Sequence, residues 1–305
     1  MRIAILGAGG VGGYFGARLA AAGCDVTFVA RGKNLEAMRK QGLRIESSLG
    51  DLALVNVKTV AGISEAGQVD VVFVTVKLWD TEDVAKSLVP VVAQGAAVVS
   101  FQNSVQKDEV LGKYLPQGSI VAGVCYIAAA IGEPGVIVHT GTMQKLVFGE
   151  YDGTRSARVT ELYDACLKAG IDAEISDDIR RLIWEKFVFV VGMSAITSAV
   201  RKPVGVVREN PKTRKLLLDV MREVVAVGQA KGVAIPDGFA EEQLSLCDKF
   251  SSTATSSMHN DLERGNRLEL PWLSGDVADL GERLNVPTPC NRIITDILSP
   301  YALGA

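Results

Sequence analysis

Four short apolar runs mark the first hundred residues: RIAIL (2–6), DVTFVA (25–30), VDVVFVTVK (69–77) and AAVVSFQN (96–103). None alternates regularly between polar and apolar. Such runs suit strands covered on both faces, as in a parallel sheet. The stretches YFGARLAAAG, NLEAMRKQ and TEDVAKSLVPVVA read as helices. GLRIESSLGDLALVNVKTV reads as two short strands around Gly50, which interrupt the strand–helix rhythm. IVAGVCYIAAA, GVIVHTG and QKLVFGE read as further strands. No long helix separates them, so antiparallel or mixed pairing is expected. A helix from about Ser156 to Lys168 and a strand IDAEIS close this half.

From about Asp177 the strand-like runs stop and helical periodicity continues to the end. The segments are DIRRLIWEKFVFVVGMSAITSAV, NPKTRKLLLDVMREVVAVGQAKG, DGFAEEQLSLCDKFSSTATSSMHNDLERG and PWLSGDVADLGERLN, with a last helix after VPTPCN. The expected architecture is α/β plus all-α: a sheet domain over residues 1–176 and a helical domain over 177–305.

The first strand runs directly into Gly7-Ala8-Gly9-Gly10-Val11-Gly12, a GxGxxG match that opens the first helix. Gly7 suits a tight turn, Gly9 a close backbone approach to a pyrophosphate, and Gly12 close helix–strand packing. The helix start offers free N–H groups and a positive dipole end to phosphates. A glycine-rich turn without a ligand is the alternative. The strand–turn–helix–strand context favours a Rossmann-type dinucleotide-binding domain at the N-terminus, followed by the C-terminal helical domain.

Sites that prefer NAD usually carry a carboxylate at the end of the second strand, bonded to the ribose 2′-hydroxyl. Here Arg31 stands there, with Lys33 two residues on, and Asp25 lies at the wrong end of the strand. A guanidinium can grip a 2′-phosphate through charge-assisted hydrogen bonds. NADP(H) is therefore expected, unless Arg31 and Lys33 are only solvated charges. Lys77 and Asn103 lie at carboxyl ends of strands, where open α/β sheets bind ligands. Each is either a cofactor or substrate contact, or a solvated lysine and a turn-forming asparagine.

Composition narrows the function classes. The chain has 305 residues, enough for two domains and a sizeable core. With 48% hydrophobic and 22% charged residues it is globular in composition, and its net charge of -3 argues against nucleic-acid binding. Five scattered cysteines, Cys24, Cys125, Cys166, Cys247 and Cys290, form no CxxC pair and suit reduced thiols in the cytoplasm. FVFVVGMSAITSAV follows the charged WEK and reads as a buried helix rather than a membrane span. Met1 leads directly into a strand, which does not suit a signal peptide. His139 and His259 are the only histidines and make a poor metal site. The apolar C-terminal helices either bury a homodimer face or only their own core.

GAGGVGGYFGARLAAAG, VARGKNLEAMRKQGL, VTVKLWDTEDV, SFQNSVQ, GVIVHTG, LIWEKFVFVVGMSAITS and SSMHNDLERGNRLEL occur in this order. With these motifs the chain resembles the ketopantoate reductase (2-dehydropantoate 2-reductase) family of pantothenate synthesis over nearly its whole length. The resemblance implies reduction of a small 2-keto acid by NADPH. It implies that Lys186 is the catalytic lysine, donating a proton to the developing alkoxide. It further implies that Glu269 is an active-site glutamate and Ser257 a substrate-binding serine, with Lys77 and Asn103 at cofactor and active-site positions. Taken alone, Lys186 fits a lysine snorkelling at a helix flank. Glu269 fits a helix-start carboxylate, and Ser257 a hydroxyl bonded to its own backbone. Many family members carry asparagines four and eight residues after the lysine, where this chain has Val190 and Ser194. A further substrate asparagine falls at Val204 or a neighbour, and the family's Asn-Gly becomes Asn103-Ser104. The substrate half of the match is altered, which admits another branched or bulky 2-keto acid. A non-catalytic NADP(H) sensor is a third reading, disfavoured because a sensor needs no proton donor.

Overall fold

A computed structural model describes residues 1–304. The chain divides into two compact units. The first comprises Met1–Gln102 and Gln106–Ile179, and the second Asn103–Val105 with the residues from Arg180 onward.

In the first unit the elements run β1 (Arg2–Leu6), α1 (Gly10–Ala21), β2 (Asp25–Val29), α2 (Gly32–Gln41), β3 (Leu43–Ser47), β4 (Leu52–Leu54), β5 (Lys58–Val60) and β6 (Val71–Val74). They continue with α3 (Thr81–Val92), β7 (Ala97–Ser100), α4 (Lys107–Leu111), β8 (Ile120–Ile131), β9 (Val136–Gly149), α5 (Ala157–Lys168) and β10 (Asp172–Ile175). All ten strands form one sheet in the order β4-β3-β9-β8-β7-β6-β1-β2-β5, with β10 also on β9. Strands β2, β1, β6, β7 and β8 are mutually parallel.

The unbroken apolar runs follow from burial on both faces. Ile3 and Ile5 of β1 join one core with Phe15, Phe28 and Phe73, while Ala4 and Leu6 join another with Val72, Val74, Ala85 and Leu88. Successive side chains of a strand point to opposite faces, so a double-faced sheet removes any need for polar alternation.

Two expectations for the strands change. GVIVHTG and QKLVFGE are one strand, β9, not two. Its pairing with β8 is antiparallel and continues through a register shift between Ile127 and Ala129, so the polar middle stays extended. The β9 edge away from β8 bonds β3 over its first part and β10 over its second. GLRIESSLGDLALVNVKTV holds three strands: β3 and β4 pair as a hairpin, whereas β5 crosses to the free edge of β2.

The second unit is helical: α6 (Ile179–Val200), α7 (Val204–Glu209), α8 (Pro211–Ala230), α9 (Phe239–Cys247), α10 (Ser257–Glu263), α11 (Ser274–Leu284) and α12 (Pro289–Leu298). Helix α6 is long and apolar enough to cross a membrane, but 67% of its most apolar window is buried among other helices. Gly192 of α6 and Gly228 of α8 let these helices approach. A Cβ would lie 2.5 Å from Met221 Cε at the first and 2.8 Å from Trp184 Cε3 at the second. The segment around SSTATSS, expected within one helical stretch, separates α9 from α10. Ser and Thr hydroxyls compete for backbone groups: Ser251 Oγ accepts from Thr253 N, and Ser256 Oγ caps α10 by accepting from His259 N at 3.0 Å.

Glu223 of α8 is 8% exposed and caps another helix. Its carboxylate accepts from Cys290 N at 2.8 Å, Asn291 N at 2.9 Å and Asn291 Nδ2 at 2.7 Å, at the head of α12. Carboxylates are favoured at helix N-termini. Glu223→Ala leaves these buried donors unsatisfied and is expected to lower stability by about 2–4 kcal/mol. Urea denaturation of both proteins checks this; an unchanged midpoint would contradict it.

Candidate active site

The glycine turn sits at the carboxyl end of β1. Gly7 has φ +97°, a conformation that side chains rarely adopt. Its N–H and that of Ala8 donate to Val29 O at 3.1 and 3.3 Å, tying the turn to β2. Thr75 Oγ1 donates to Leu6 O and Gly7 O, at 3.0 and 2.8 Å. Asn34 clamps the turn from α2: Nδ2 donates to Ala8 O at 2.8 Å, and Oδ1 accepts from Gly135 N at 2.8 Å. Thr75 and Asn34 were not among the sequence candidates. Neither contact is local, so no motif around the turn signals them.

The turn aims backbone donors outward. Among the described residues, no carbonyl or side chain takes the N–H groups of Gly10, Val11 and Gly12, and Gly9 supplies no side-chain cap to α1. A Cβ on Gly9 would meet no atom within 4 Å, so the space above it is open. A Cβ on Gly10 would fall 2.1 Å from Ala129 O, and one on Gly12 2.4 Å from Gly7 O. Gly10 and Gly12 are thus fixed by packing against backbone, while Gly9 lies under free space. Unpaired N–H groups below an open approach fit the pyrophosphate of a dinucleotide.

Arg31 and Lys33 lie just beyond β2, and both are exposed. Arg31 pairs with Asp80, which follows β6. Asp25 is held at the opposite end of β2 by Lys58, 2.5 Å away. Lys77, half-buried, lies with its Nζ 5.7 Å from the Trp79 ring centre, a cation–π distance. His139 is structural: its Nε2 lies 2.9 Å from Met143 O, its Nδ1 2.8 Å from Ser47 Oγ, and its ring packs on Tyr14. Because a carbonyl only accepts, Nε2 donates to Met143 O.

The second unit holds the other candidates. Lys186, half-buried on α6, donates from Nζ to Asn103 Oδ1 at 2.7 Å. The structure therefore brings together two residues 83 positions apart. Val190 and Ser194 follow one and two turns along α6, half-buried and buried respectively. One turn further, Thr197 Oγ1 meets the capping Ser256 Oγ at 3.0 Å, and Thr197 O accepts from His259 Nδ1 at 2.8 Å. These bonds join the end of α6 to the head of α10, where Ser257 is the exposed first residue. Val204 is fully buried in the helical core at the head of α7. Glu269 is half-buried and begins a short 3-10 turn at Leu270–Trp272, its carbonyl accepting from Trp272 N.

Gly9 and Gly10 separate binding from folding. Gly9→Ala is expected to leave the melting temperature unchanged and to weaken dinucleotide affinity at least ~10-fold, because its methyl enters the ligand's space. Gly10→Ala forces α1 off β8 and is expected to cost about 1–3 kcal/mol of stability. Thermal melts and coenzyme titrations of both variants check the pair; equal melting losses would contradict it.

Comparison with known proteins shows the family. The family described as "Ketopantoate reductase PanE/ApbA" matches residues 3–153, and "Ketopantoate reductase PanE/ApbA C terminal" matches residues 178–302. A 2-dehydropantoate 2-reductase of Archaeoglobus fulgidus is 35% identical over 304 residues, covering 99% of this chain and 98% of that protein. The crystal structure of a 2-dehydropantoate 2-reductase from Geobacter metallireducens GS-15 is 30% identical with a TM-score of 0.92, covering 98% and 99% of the two chains. A PanE/ApbA family ketopantoate reductase from Ralstonia eutropha JMP134 is 31% identical with a TM-score of 0.91, covering 99% and 98%. With a glycine cradle in one unit, a lysine–asparagine pair in the other and matches across both, the chain belongs to the ketopantoate reductase family of oxidoreductases.

Proposed function

We propose that the protein is an NADPH-dependent 2-keto acid reductase whose substrate is 2-dehydropantoate (ketopantoate) and whose product is pantoate, a step of pantothenate biosynthesis. The observation that carries this reading is the Lys186–Asn103 pair in a chain that also holds an open dinucleotide cradle. Gly7, Gly9, Gly10, Val11 and Gly12 would hold the pyrophosphate through backbone N–H groups. Arg31, 72% exposed and engaged through Nη2 alone, keeps donors for a 2′-phosphate, and Lys33 adds charge. Lys77 and Asn103 supply further polar contacts to the coenzyme and the substrate.

When bound, the reduced nicotinamide supplies the hydride. The rest belongs to the protein. Hydride arrival at a ketone leaves negative charge on oxygen. The Lys186 ammonium stabilises that charge and gives a proton from Nζ to the alkoxide. Asn103 Oδ1 takes one of the three ammonium donors and so restrains a long, flexible side chain. Glu269 and Ser257 would contact the hydroxyl end of ketopantoate, and Ser194 would add a hydroxyl to the substrate site.

One observation favours a second reading within the same chemistry. Val190 is half-buried one turn from Lys186 and offers only an isopropyl group. An apolar surface there suits a bulkier, less hydroxylated 2-keto acid.

NADPH oxidation across a panel of 2-keto acids separates the two. The leading reading expects ketopantoate to give the highest kcat/KM; a branched or aromatic keto acid in first place, with Val190→Asn shifting preference toward ketopantoate, supports the second. On either reading Lys186→Ala should lower kcat by ~10²–10⁴-fold with NADPH affinity retained. Full turnover without Lys186 would sink both.

A further inference from the structure

The sequence offers no acidic residue at the end of β2, yet the fold delivers one. Asp80 lies six residues beyond β6 and forms an ion pair with Arg31, two residues beyond β2. Strands β2 and β6 flank β1 on opposite sides. The pair therefore spans the carboxyl end of β1, where the glycine turn begins.

The Asp80 carboxylate has no competing structural task. Asp80 immediately precedes α3, but its side chain does not cap that helix. Among the described residues only Oδ2 is engaged, by Arg31 Nη2. Its side chain is 21% exposed, within reach of a ligand yet partly shielded from solvent. The other carboxylate associated with β2, Asp25, is committed to Lys58 at the far end.

A carboxylate at the end of the second strand accepts the ribose 2′-hydroxyl of NAD-type coenzymes, whereas a guanidinium there receives the 2′-phosphate of NADP-type ones; Asp80 comes from beyond β6 but is held against Arg31 at that end. Here both stand side by side. We propose that Asp80 makes the adenine-ribose end of the site two-sided: it accepts the 2′-hydroxyl of NADH while Arg31 and Lys33 receive the 2′-phosphate of NADPH, so the protein uses both coenzymes. This rests on the reading of the first unit as a nicotinamide dinucleotide site. The same carboxylate repels a 2′-phosphate, so Asp80 moderates the NADPH preference that Arg31 creates.

Binding titrations with NADPH and NADH, followed by coenzyme fluorescence without any keto acid, test the proposal independently of the substrate. The wild-type protein should bind both. Asp80→Asn, which keeps the shape and removes the charge, should weaken NADH about 10-fold and tighten NADPH severalfold, judged from close charge pairs near a surface. Asp80→Glu keeps an acceptor and should hold NADH affinity within about 3-fold. Arg31→Ala should weaken NADPH by roughly 10–100-fold and leave NADH within about 3-fold. Melting curves establish that each variant is folded. Two results would overturn the proposal: Asp80→Asn leaving the ratio of the two affinities unchanged, as when both coenzymes weaken equally, or a wild type that binds NADPH and not NADH. Both leave the dinucleotide site standing. A wild type that binds neither coenzyme overturns the dinucleotide reading along with the proposal.

Discussion

The nucleotide half of this protein depends on backbone meeting backbone at the start of α1. Gly10 lies against the carbonyl of Ala129, and Gly12 against the carbonyl of Gly7, at separations where no Cβ fits. That closeness lets α1 sit directly on the sheet. It also removes side chains from the place where the helix exposes its first N–H groups. Thr75 and Asn34 then fix the turn's own carbonyls, so the donors face outward from a rigid frame. A preorganised set of donors binds an anion without first being ordered. The open space above Gly9 follows from the same geometry.

In the helical unit the organising residue is Lys186. Helix α6 is apolar around most of its circumference because other helices surround it, and the lysine lies where that burial is incomplete. Asn103, a residue that follows β7 in sequence, clusters with this unit and receives the ammonium. The next turns of the helix carry an isopropyl group and then a hydroxyl, before the hydrogen-bonded junction with α10. On the proposed function, chemistry and substrate choice are separable along one helix: Lys186 would carry the first, and the positions beyond it would shape the second.

Much of this was legible in the sequence because local and global preferences agree. The continuous apolar runs required a sheet covered on both faces, and the glycine spacing marked the turn between β1 and α1. The helical periodicity after Asp177 gave the second architecture, and the family motifs appeared in order. What escaped depends on contacts remote in sequence. Asp80 reaches Arg31 across 49 positions, placing a carboxylate beside a strand end whose own sequence has none. Asn34 and Glu223 act on backbone groups of other elements, and no periodicity records such a target. The β9 strand looked divided because its middle is polar; the ladder with β8 keeps it extended regardless. The Ser/Thr-rich segment before α10 has helical flanks that hide it in the periodicity, although its hydroxyls favour local turns.

The most direct test of the account is a crystal structure of the protein with NADPH and an unreactive analogue of ketopantoate. Lys186 Nζ is expected within roughly 2.6–3.2 Å of the oxygen that stands for the ketone, as a proton donor requires. The Gly9–Gly12 backbone is expected to lie against the pyrophosphate. An analogue oxygen met by a different proton donor, with Lys186 pointing elsewhere, would contradict it.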